Sequence, residues 1–126
     1  MTKFKRQGFK NTFKNARKGM RLSIKSERNI RIHIGAGILA ILLSIGFHFS
    51  TVKFCIVLLT ISSVITSEMI NSAIEFALDA MYHNRYSKIV GMAKDIAAGS
   101  VMMVTIIAIL IGVLLFLPPL IDLFVN

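Results

Sequence analysis

The sequence predicts an all-α membrane protein: an N-terminal amphipathic surface helix followed by three transmembrane helices. Two observations lead there. Hydrophobic residues make up 55% of the 126 residues and charged ones only 17%, which is more apolar than a soluble domain requires. The net charge of +9 is also unevenly placed. Residues 1–31 hold eleven of the 15 Lys/Arg and a single acid, Glu27. The rest of the chain is apolar, with few basic side chains.

Residues 8–31 read as one helix. Phe9, Phe13, Ala16, Met20 and Ile24 recur at steps of three and four, which forms a narrow apolar stripe at about 100° per residue. Lys10, Lys14, Arg17, Lys18, Arg21 and Lys25 occupy much of the remaining surface. A helix of this kind lies in the membrane interface, drawn to anionic headgroups by about 1 kcal/mol per basic residue. Because it runs straight into apolar sequence, a membrane rather than a nucleic acid is the expected partner. The segment is too long to be the basic start of a secretory signal.

Three apolar segments follow, at about 32–49, 54–78 and 96–117, each near the ~20 residues that cross a bilayer. Residues 50–53 leave a tight turn between the first two. The polar stretch 80–94 carries Arg85, Lys88 and Lys94, and Pro118-Pro119 is expected to stop the last span. Positive charge places the N-terminus and the 80–94 loop in the cytoplasm. The chain reads as one multi-pass unit over 1–126. Its single cysteine, Cys55, rules out an intrachain disulfide and cysteine-pair zinc sites.

The second span carries acids that packing does not explain. Glu68, Asn71, Glu75 and Asp79 fall at about 0°, 300°, 340° and 20° around a helix, all on one face. Ser72 lies at its edge. A carboxylate inside a span costs about 2.5–3.5 kcal/mol, so a run of them marks a working polar site. Grouped carboxylates beside an amide suit a hard divalent cation such as Mg²⁺, shared with substrate phosphates. A further carboxylate can take a proton from an alcohol. Lys94-Asp95 adds an ammonium for phosphate oxygens, and Ala97, Ala98, Gly99 and Ser100 let that helix approach closely. No glycine-rich phosphate loop and no Ser/His/Asp or Cys/His set occurs. His33, His48 and His83 are scattered and unassigned.

The run Glu68-Met-Ile-Asn71-Ser72-Ala73-Ile74-Glu75, then Asp79, then Ala93-Lys94-Asp95-Ile-Ala97-Ala98-Gly99, closely resembles the prokaryotic diacylglycerol kinase family. Phe13-Lys-Asn15-Ala16-Arg-Lys-Gly19 and Glu27-Arg-Asn29-Ile-Arg31-Ile-His33 resemble its Gram-positive branch of undecaprenol kinases. The resemblance covers nearly the whole chain and is weakest at residues 1–7 and after Gly112. It implies a bacterial plasma-membrane enzyme, a homotrimer with active sites between subunits at the cytoplasmic surface. It implies that Glu68 is the general base, that Glu27 and Glu75 hold Mg²⁺, and that Asn71, Lys94 and Asp95 bind the nucleotide, with Asp79 a neighbouring polar contact. Part of the family has a histidine where this chain has Ser87, so no nucleotide contact is carried over from the 80–87 loop.

The expected activity is therefore transfer of phosphate from ATP to undecaprenol. Diacylglycerol is the alternative acceptor, since both lipids offer a primary alcohol on an apolar body. A non-enzymatic pore or transport oligomer is the distant alternative. Against it, no acid continues along the helix through Cys55–Ile65, where a pore lining would need polar groups.

Overall fold

The computed structural model describes Arg6 and residues 8–126; the start of the expected surface helix segment, residues 1–5 and 7, lies outside these. Four helices follow in order: α1 (Phe9–Ser26), α2 (Arg28–Gly46), α3 (Thr51–Tyr82) and α4 (Lys88–Val125). The last three are long and apolar enough to cross a membrane.

The single helix expected over 8–31 is in fact two. Glu27 takes extended backbone angles, φ −111° and ψ 113°, between α1 and α2. No proline or glycine marks the break. It separates the amphipathic α1 from the first helix long and apolar enough to cross a membrane. The corner is held by hydrogen bonds. The Glu27 N–H donates to Ser23 O at 3.0 Å. Arg31 Nη1 donates to Ile24 O at 2.8 Å and Lys25 O at 2.9 Å, satisfying carbonyls that a helix end leaves unpaired. No residue of α1 is buried; its Phe9, Phe13 and Met20 side chains are exposed, as an interfacial helix requires.

The three long helices pack through positions seven residues apart. Ile30, Gly37 and Ser44 are buried on α2, Val57, Val64 and Asn71 on α3, and Val90 and Ala97 on α4. A seven-residue repeat is the signature of left-handed, near-parallel packing at about +20°. At Gly37 the approach is close: a Cβ there would lie 2.8 Å from Ile61 Cγ2. Outward-facing residues such as Leu39, Leu42, Leu59 and Leu114 are exposed, the arrangement for contact with lipid.

The connections are short. Ser50 Oγ accepts from Lys53 N at 3.3 Å to start α3, and the Phe49 ring lies 5.1 Å from that of Phe116, tying this turn to α4. His83 and Asn84 adopt left-handed angles (φ 50° and 60°) and both donate their N–H groups to Asp79 O, closing α3. Ser87 Oγ accepts from Val90 N at 3.2 Å. The 80–94 polar stretch is thus mostly helical, with only residues 83–87 between α3 and α4.

The expected stop at Pro118-Pro119 does not occur: both prolines lie inside α4. Each removes one backbone donor, from reach of the Leu114 and Leu115 carbonyls, while later residues keep theirs, as in Asn126 N–H to Asp122 O at 3.2 Å. Membrane helices accommodate such interruptions more readily than soluble ones.

Candidate functional site

The 32 residues of α3 extend about 48 Å at 1.5 Å per residue, against about 30 Å of bilayer hydrocarbon. If α3 enters at its first turn, near Lys53, the hydrocarbon ends close to Asn71. Glu68 then lies just inside it, while Glu75 and Asp79 reach the headgroup layer. On that placement the acidic face is a ladder from membrane interior to surface, at the end of the bundle that carries α1.

Glu68 is the deepest rung and is only 4% exposed. Its Oε1 accepts a hydrogen bond from Asn29 Nδ2 on α2 at 3.3 Å. Ser72 Oγ donates to the Glu68 backbone carbonyl at 3.0 Å, so Ser72 belongs to the wall behind the carboxylate. Asn71 is also buried, and its Oδ1 has no hydrogen-bond partner among the described residues. A buried acceptor left open is costly, and it leaves this amide free to meet an incoming group. Glu75 is half-buried.

At the top of the ladder Asp79 and Lys94 form a salt bridge between α3 and α4. This brings Lys94 to the acidic face from the next helix. Asp95, one position on, points around α4 and is exposed. Ala97, buried one turn further along, lets α4 lie close to α3.

Glu27 stands at the corner between α1 and α2. It is half-buried, and its side chain makes no capping bond at the start of α2. Since α2 and α3 run antiparallel, with Asn29 opposite Glu68 and Gly37 opposite Ile61, Glu27 is level with about Asn71. That is about one turn, some 6 Å, below Glu75. Among the described residues no three His, Cys, Asp or Glu side chains converge to hold a metal. A cation here would take one or two carboxylates at a time and complete its shell with phosphate oxygens and water, which is the habit of Mg²⁺.

One turn beyond Asn29, a cleft of about 240 Å³ opens between α2, α3 and α4, with His33, Gly37, Thr60, Val64 and Thr105 in its wall. On α1, Lys14, Lys18 and Arg21 line a polar groove that faces away from the apolar stripe. Sequence reasoning missed Asn29 as the partner of Glu68 and Arg31 as the cap of α1. Both stand in the Glu27–His33 motif, but nothing in that motif reveals what each one touches.

The family model described as prokaryotic diacylglycerol kinase matches residues 14–116. A diacylglycerol kinase of Synechocystis sp. is 32% identical over 114 residues, which cover 90% of this chain and 65% of that protein. The chain therefore spans just under two thirds of that relative's length. An undecaprenol kinase of Bacillus subtilis is 30% identical over 112 residues, covering 89% of this chain and 90% of that protein.

Proposed function

The chain belongs to the prokaryotic diacylglycerol kinase family, a family of lipid kinases, and from that premise we propose that it phosphorylates undecaprenol with ATP to give undecaprenyl phosphate and ADP. The observation that carries this reading is the ladder on α3. The buried Glu68 carboxylate is the rung that would sit just inside the hydrocarbon, where a lipid alcohol presents its hydroxyl. Polar and charged groups continue from it to the surface, where a nucleotide arrives from water.

In this reading Glu68 accepts the hydroxyl proton of the lipid. The freed oxygen bonds to the γ-phosphorus of ATP, and the bond from that phosphorus to the β–γ bridging oxygen breaks, releasing ADP. Such transfers depend mainly on positioning and charge neutralisation. Asn71 offers its amide to the nucleotide. Lys94, held by Asp79, presents an ammonium to phosphate oxygens, and Asp95 orients the nucleotide from the exposed side of α4. Glu27 and Glu75 fit Mg²⁺ in donor type. Bound there, Mg²⁺ would neutralise the phosphate charge.

The preference for undecaprenol rests on the match along nearly the full length of the Bacillus protein and on the Glu27–His33 motif. The marginally higher identity to the Synechocystis protein favours diacylglycerol as the second reading. We propose a homotrimer with active sites between subunits. The open Asn71 Oδ1 and the absence of a three-carboxylate cluster among the described residues both suit a site completed by a second subunit. Basic residues concentrated in α1 support a cytoplasmic N-terminus and active site in a bacterial plasma membrane. Comparing undecaprenol and diacylglycerol as acceptors, with purified protein and labelled ATP, tests the substrate assignment.

A further inference from the structure

We propose that Asn29 is the positioning residue for Glu68, fixing the carboxylate so that one oxygen is held and the other is turned to the lipid hydroxyl. This rests on the reading of Glu68 as the base.

Glu68 is almost completely buried, and a buried carboxylate needs hydrogen-bond donors. Among the described residues, the side-chain donor it finds is the Asn29 amide, on Oε1. Oε2 is left for the substrate. The bond crosses between helices whose neighbouring register is set by the tight Gly37–Ile61 contact, so α2 cannot slide along α3 without losing it. Asn29 also lies in the first turn of α2, two residues after the Glu27 corner. The break that turns the chain from the surface into the membrane therefore also sets the height of the amide against Glu68. A separation of 3.3 Å is long for a hydrogen bond, and bonds to catalytic groups commonly tighten once substrate is bound.

Positioning acts on turnover rather than on substrate binding. A hydrogen bond to a charged group contributes about 1.5–3 kcal/mol, which corresponds to about 10–100-fold in rate. The test uses the full chain, purified in detergent, with kcat and both KM values measured for Asn29→Ala, Asn29→Asp and Asn29→Gln. Asn29→Asp keeps the shape and removes the donor; Asn29→Gln keeps the donor on a longer stem. The expected result is an about 10–100-fold loss of kcat in the Ala and Asp variants. Both KM values should stay within about twofold of wild type, a change under roughly 0.4 kcal/mol, and Asn29→Gln should recover part of the rate.

A lowered melting temperature with unchanged kcat in the folded protein would make the bond merely structural and overturn the proposal, as would a loss confined to KM. Glu68→Gln separates the two levels. An inactive Glu68→Gln beside a fully active Asn29→Asp would overturn only the role given to Asn29. An active Glu68→Gln would overturn the base itself.

Discussion

Asp79 on α3 and Lys94 on α4 are joined by a salt bridge that ties the two helices together at the end of the bundle carrying α1. Each side chain is more than a third exposed, so the pair contributes at most about 1 kcal/mol to stability. Its value lies in aiming the ammonium. Lys94→Ala should raise the KM for ATP by about tenfold, the loss of roughly one charge-assisted contact, with little change in melting temperature. Asp79→Asn should raise it less, since the ammonium remains but is no longer held. Steady-state kinetics with ATP varied at saturating lipid, alongside thermal melts, check both.

The Gly37–Ile61 contact predicts a packing defect. A Cβ at position 37 would meet Ile61 Cγ2 at 2.8 Å, and that atom sits on a stiff β-branched side chain. Gly37→Ala should therefore destabilise the bundle by about 1–3 kcal/mol, the usual cost of overpacking. Adding Ile61→Ala should return part of that loss. A double-mutant cycle on melting in detergent measures the coupling.

The corner at Glu27 predicts a local effect of Arg31. Its Nη1 donates to the carbonyls of both Ile24 and Lys25, and alanine removes both bonds. Arg31→Ala should speed amide hydrogen exchange over the last turn of α1 and leave the α3 core unchanged, and Arg31→Lys, whose ammonium still donates, should speed it less. Exchange measured by mass spectrometry on the protein in detergent checks this.

Glu27 and Glu75 predict a metal dependence. Glu27→Ala and Glu75→Gln should each raise the Mg²⁺ concentration for half-maximal activity by about tenfold or more, equivalent to about 1.4 kcal/mol of lost affinity, with assembly intact. Titrating MgCl₂ at fixed ATP provides the measurement.

Much of this was legible in the chain. The apolar segments and the charge at the N-terminus gave the architecture, because membrane spans are defined by length and composition. The face shared by Glu68, Asn71, Glu75 and Asp79 followed from helical periodicity alone. What periodicity cannot supply is the register between helices. The Asn29–Glu68 bond depends on how far α2 has slid along α3, and no local pattern encodes that. The break at Glu27 was hidden because Ser26-Glu27-Arg28 contains no helix breaker. The prolines of α4 misled in the opposite way, because a rule drawn from soluble helices overstated their cost in a membrane helix.

The most direct test of the central claim is phosphate transfer from labelled ATP by the detergent-purified protein, wild type beside Glu68→Gln, with undecaprenol and diacylglycerol as acceptors. The expected result is rapid labelling of undecaprenol, slower labelling of diacylglycerol, and near-complete loss of both in a folded Glu68→Gln variant. Equal labelling of either lipid by wild type and Glu68→Gln would contradict it.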